Sequence, residues 1–128
     1  MATLAILAPI GCSVGADEEP KPASGKAAAI AVAVEELERA IASRDFAEVC
    51  DELFTATARQ RSGGDECASQ LRSAAEGVRL PVIEVRGIHV NGERARVEVT
   101  TRATGQARVR DELQMRRVDG RWRVEALS

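Results

Sequence analysis

The stretch IHVNGERARVEV, residues 88–99, decides how the chain is read. Ile88 and Val90 precede Asn91-Gly92, and Ala95, Val97 and Val99 follow it, alternating with Arg96 and Glu98. A side-chain period of two marks a strand with one buried face. Asn-Gly between two such runs signals a two-residue hairpin turn, because both residue types tolerate positive φ. The stretch is expected to be one β-hairpin, and the surrounding residues extend it.

Upstream, the strand runs back to Leu80, with Pro81 near its beginning, where an edge tolerates a missing N–H. Ile83 and Val85 share one parity while Ile88 and Val90 take the other. Gly87 lies between them, so a bulge that restores the buried face is expected there. Downstream, Ala103–Gln106 turn the chain. A third strand then carries Val109, Asp111, Leu113 and Met115 on one side, with Arg108, Arg110, Glu112, Gln114 and Arg116 on the other. Asp119-Gly120 makes another tight turn. Trp122 and Val124 point inward from the last strand, between Arg121, Arg123 and Glu125.

Before Leu80 the period is helical. Residues 27–43 are rich in Ala, and Ile30, Val34, Leu37 and Ile41 form one apolar stripe. Asp45 opens a second helix with capping-box spacing to Glu48, and Phe46, Val49, Cys50 and Leu53 form its buried side. Ser62-Gly63-Gly64 breaks the chain. Asp65 is expected to cap a third helix, which buries Cys67, Leu71 and Ala74 or Ala75 and stops at Gly77. Three helices followed by an antiparallel meander describe an α+β domain with helices on one sheet face.

The totals fit one small domain. The chain has 128 residues, 45% hydrophobic and 30% charged, a globular balance and not that of a disordered chain. Net charge is −2, and residues 80–128 alone carry +3, all of their cations being Arg. A nucleic-acid binder shows a denser basic face interleaved with aromatics. With one Trp, two Phe and no Tyr, nucleic acid is not an expected partner. Sixteen Arg against two Lys, with abundant Ala and Val, suits a GC-rich bacterial genome. His89 is the only His and no CxxC occurs, so neither a metal nor any other cofactor is expected.

At the N-terminus, ATLAILAPI (residues 2–10) has the length of a signal h-region, followed by Gly11 and Cys12. Residues 13–26 contain Pro20, Pro22, Ser24 and Gly25 among charges and read as a flexible linker. The segment resembles a bacterial lipoprotein signal, in which a small residue precedes a Cys that is lipidated and becomes the mature N-terminus. Pro9 stands where Leu is usual, and no Lys or Arg precedes Lys21. A start further upstream would account for the missing charges. The resemblance implies a signal remnant over 1–12, lipidation of Cys12, and an extracytoplasmic domain anchored to the cell membrane. A cleaved secretory signal and a core segment are the alternatives. The parity of the cysteines agrees with export: without Cys12, Cys50 and Cys67 remain as a pair. They suit a disulfide in an oxidising compartment, the alternative being two buried thiols acting as small hydrophobes.

The order of elements, the helix-two opening RDFAEVCDEL (44–53) and the closing DGRWRVEAL (119–127) are similar to small bacterial members of the nuclear transport factor 2-like, or cystatin-like, superfamily. The resemblance covers residues 27–128. It implies a curved four-stranded antiparallel sheet forming a cone with three helices, often enclosing a pocket. Members include ketosteroid isomerases, polyketide cyclases and dehydratases, whose chemistry needs a polar group in an apolar cavity.

Asp111 is the clearest polar residue on a core parity and so the candidate base; a bulge position or an ion pair with an Arg is the structural explanation. Thr101 shares the parity of Val97 and Val99 and is a candidate pocket donor. Trp122 is a candidate ligand platform, although core packing is the commoner role. His89 lies on the outward parity. Arg108 and Arg110 head an Arg-rich strand face, with Arg116, Arg121 and Arg123. It suits either an anionic partner or a solvated face laced with Glu98, Glu112 and Glu125. No GxSxG, HExxH, P-loop or dinucleotide signature occurs, and the absence of Tyr excludes an isomerase-type tyrosine donor. The leading expectation is a non-catalytic domain that binds a small hydrophobic ligand or a protein partner. The alternatives are an isomerase-, cyclase- or dehydratase-type enzyme using Asp111, and a sheet-mediated homodimer.

Overall fold

The computed structural model describes residues 25–128. The signal, Cys12 and most of the linker lie outside the described residues. Helix α1 (Gly25–Ala42) begins two residues earlier than expected, so Gly25 and Lys26 belong to the domain. Its buried stripe is Ile30, Val34, Leu37 and Ala40, and Ile41 packs half-buried beside it. Each apolar residue lies three or four positions from the next, which keeps the stripe on one face.

The second helix departs from expectation. Asp45 does cap it, accepting from the Glu48 N–H at 3.1 Å. However, α2 (Phe46–Glu48) widens into a π-helical turn, Val49–Leu53, and the chain becomes extended at Phe54. A separate helix, α3 (Ala56–Arg61), then starts at Thr55, whose hydroxyl accepts from the Ala58 N–H at 3.1 Å. The physical reason is pairing. Phe54 forms a parallel bridge to Val124, and the Thr55 N–H donates to the Val124 carbonyl at 2.9 Å, so the segment is held against the last strand. Asp65 is not a helix cap. It sits in a 3₁₀ turn, Gly64–Glu66, that leads into α4 (Cys67–Ala74). Cys67 is buried and Leu71 and Ala75 half-buried, while Ala74 is exposed. Gly77 (φ +83) lies in the turn that follows.

The sheet is antiparallel with order β1-β2-β3-β4: β1 (Val82–Asn91), β2 (Arg94–Arg102), β3 (Val109–Val118) and β4 (Arg121–Leu127). The expected bulge is present: the register shifts between Val85 and Gly87, leaving Arg86 as the extra residue. The two hairpins use different turns. Asp119 (φ +51) and Gly120 (φ +80) are the two central residues between Val118 and Arg121, the geometry of a type I′ turn. The first hairpin is shifted by one residue. Asn91 pairs with Arg94, so the central residues are Gly92 (φ +66) and Glu93, with positive φ at the first only. Gly at that position is the pattern of type II′.

Ala95, Val97, Val99, Leu113, Met115, Trp122 and Val124 face the helices and are buried with the α1 stripe, Val49 and Leu53. At the outer strand β1, the Glu38 carboxylate of α1 accepts the Ile83 N–H at 2.7 Å.

Candidate functional site

The helices do not fill the whole concave face. An open cavity of about 510 Å³ remains where α1, the α2 turn, α3 and α4 meet the ends of β3 and β4. Leu37, Ile41, Phe46 and Val49 form one wall, and Leu71, Ala75 and Val78 another. Leu113, Val124 and Leu127 supply the sheet side. This volume lies in the range of roughly 300–1,000 Å³ typical of small-molecule sites, and its lining is apolar as such sites are. Phe54 and Ala58 reach the cavity because the Phe54–Thr55 segment is bridged to β4.

Three polar residues interrupt the lining: Glu125, Arg61 and Ser62. Glu125 comes from a second bulge. Gln114 pairs with Ala126 and Met115 with Val124, so Glu125 is extra on β4. The bulge returns Leu127 to a position opposite Leu113 and makes Glu125 half-buried instead of outward. Its carboxylate accepts a hydrogen bond from the Thr55 hydroxyl, and Arg116 lies 4.0 Å away. Both oxygens therefore have a donor or a cation beside them, and the group ties the start of α3 to β4. Alternation alone places Glu125 outside; the strand carries no Gly to announce the bulge.

Asp111 pairs with Val99, as its parity requires, but does not line this cavity. It is half-buried in a separate recess shared with Arg86, Thr100, Arg108, Arg110, Glu112 and Ser128. Among the described residues Asp111, Arg108 and Arg110 form no ion pair. Thr101 does not line the cavity; it lies in a smaller recess of about 220 Å³ with Pro81 and Val109, which adjoins the cavity through Ile41 and Val78. Trp122 is 7% exposed and belongs to the core. His89 is outward, with Glu98 at 3.7 Å. Of the remaining Arg face, Arg121 pairs with Glu52 at 3.4 Å, and Arg123 donates to the carbonyls of Asp51 and Phe54, which ties it back to the helical layer.

Cys50 and Cys67 form a disulfide. It joins the π-helical turn to α4, and therefore joins Val49 to Leu71 across two walls of the cavity. Among the described residues no group of three His, Cys, Asp or Glu is placed to hold a metal ion. No described helix is long and apolar enough to cross a membrane.

No protein-family model and no curated protein matches the chain. Solved structures do match. An NTF2-like protein of unknown function from Silicibacter pomeroyi is 20% identical with a TM-score of 0.60, over 79% of this chain and 91% of that one. A SEC-C motif containing protein from Rhodopseudomonas palustris is 22% identical with a TM-score of 0.57, over 75% and 74%. The de novo designed NTF2 fold protein NT-9 is 20% identical with a TM-score of 0.54, over 76% and 82%. Identities this low speak to architecture, and a designed member needs no natural function to fold. The helices on a curved four-stranded antiparallel sheet are the nuclear transport factor 2-like fold.

Proposed function

We propose that this is an extracytoplasmic lipoprotein, anchored through Cys12, whose domain binds a small apolar ligand without chemical conversion. The observation that carries the binding role is the cavity of about 510 Å³ with its apolar walls. Burying a ligand there removes hydrocarbon from water at roughly 25 cal/mol per Å² of apolar surface. The disulfide supports export, because disulfides persist in oxidising compartments. The Gly11-Cys12 junction supports the anchor, with acyl chains supplying membrane affinity at about 0.8 kcal/mol per buried methylene. The Asp111 enzyme reading draws no support from the geometry, because the carboxylate stands among charges and outside the apolar cavity.

The ligand role is tested by mass spectrometry of small molecules co-purifying with the full chain. Recovery of an apolar compound is expected, with loss of it in Ala74→Trp, where an exposed wall residue would fill the cavity. A chain that retains no compound and takes up no apolar fluorophore would remove the reading. For the anchor, Cys12→Ala is expected to move the protein from the membrane fraction to the soluble one. An unchanged membrane pool would remove that part.

A further inference from the structure

We infer that the cavity takes a single-chain amphiphile whose anionic head group pairs with Arg61. This rests on the cavity being a ligand site, as proposed above, and adds the class of ligand. The walls are hydrocarbon, so the ligand body is hydrocarbon. The polar groups of the lining differ in what they leave open. Glu125 is engaged by Thr55 and flanked by Arg116, so its charge is already answered by groups of the protein itself. Arg61 is exposed at the end of α3 and lines the cavity, which places it at the rim. No carboxylate pairs with it among the described residues, whereas Arg59 on the same helix has Asp51 at 3.3 Å and Asp65 at 3.7 Å. Ser62, beside it, adds a hydroxyl donor to the same part of the lining.

The surroundings reinforce the sign. Arg44 and Arg72 stand over the Phe46 ring at 5.4 and 5.9 Å, behind the wall that the ring forms. Arg44 also donates to the Ala75 carbonyl at 3.4 Å, on the neighbouring wall. The lining itself therefore holds one cation, Arg61, with no ion-pair partner among the described residues, and one engaged carboxylate, with two further cations behind the Phe46 wall. An anion entering with its chain inward meets Arg61 at the rim, where a charge-assisted hydrogen bond is stronger than a neutral one. A neutral alcohol of the same length gains the same burial without that pair.

The test uses the full chain and calorimetric titration with decanoate and decyl phosphate, each below its micelle concentration, and with 1-decanol below its solubility limit. Either anion is expected to bind about tenfold more tightly than decanol, a difference of about 1.4 kcal/mol, and the tighter of the two identifies the head group. Arg61→Gln should erase the preference by lowering anion affinity to about that of decanol, and Arg61→Lys should keep most of it. Arg61 is exposed, so neither substitution touches the core. Equal affinity for anions and decanol, or a preference that survives in Arg61→Gln, overturns this inference and leaves the cavity reading standing. Binding of none of the three overturns both.

Discussion

Leu113 and Asp111 are two residues apart on β3 and share one parity, yet they line recesses of opposite chemistry. Leu113 faces Leu127 across β4 and lies under the helical layer, so its cavity is apolar. Asp111 lies beyond the last β4 strand pair, where Ser128 alone continues the ladder through its bonds with Glu112 at 2.7 and 2.9 Å. Its recess is walled by charges of both signs, Arg86, Arg108 and Arg110 with Glu98 and Glu112. Parity decides which side of a sheet a residue takes. Whether that side is a dry cavity depends on a covering layer and on where the neighbouring strand ends.

The contrast can be broken by substitutions on its two sides. Phe46 is 2% exposed and forms a cavity wall, so Phe46→Ala should cost about 3–5 kcal/mol in urea denaturation and weaken ligand binding. A cost below about 1 kcal/mol would mean that the wall collapses onto the ligand space. Next, replacing Cys50 and Cys67 together by Ser should cost about 3 kcal/mol, from a closed loop with a sequence separation of 17. The same unfolding measurement reads it, and equal stability of the two forms would show that packing alone joins the cavity walls. Thr55→Ala should cost about 1–2 kcal/mol, because it removes the cap of α3 and the donor to Glu125 together. Double substitution with Glu125→Gln sharpens this, since the two costs should be less than additive. The smallest effect is expected from Asp111→Ala, within about 0.5 kcal/mol and with ligand affinity unchanged. A large loss of binding there would transfer the site to the charged recess.

Much of the sheet was legible because its signals are local. The alternation around Val97, the bulge beside Gly87 and the Asp119-Gly120 turn each need only neighbouring residues. Asn91-Gly92 pointed to a turn but misplaced it by one, since Gly92 serves the first central position of II′ as well as the second of I′. The disulfide followed from cysteine parity and not from geometry. The helical half was harder. The break at Phe54–Thr55 is imposed by β4, some seventy residues away, and Thr55 carries no acidic partner at the third position of α3 to complete a capping box. Glu125 was missed for the same reason: its placement depends on a bulge created by pairing, with no glycine to mark it.

The bond from Ile83 to Glu38 has a consequence for crowding. A four-stranded sheet has two outer strands, and each is a template for another chain. Here the Glu38 carboxylate occupies a β1 donor, the Arg86 bulge twists that strand further along, and Phe54–Thr55 lie against β4. A neighbouring molecule seeking to add a strand would have to displace a charged side chain on one side and a backbone bridge on the other. Molecules crowded together meet one another often, and such blunted margins favour their staying separate instead of knitting into fibres.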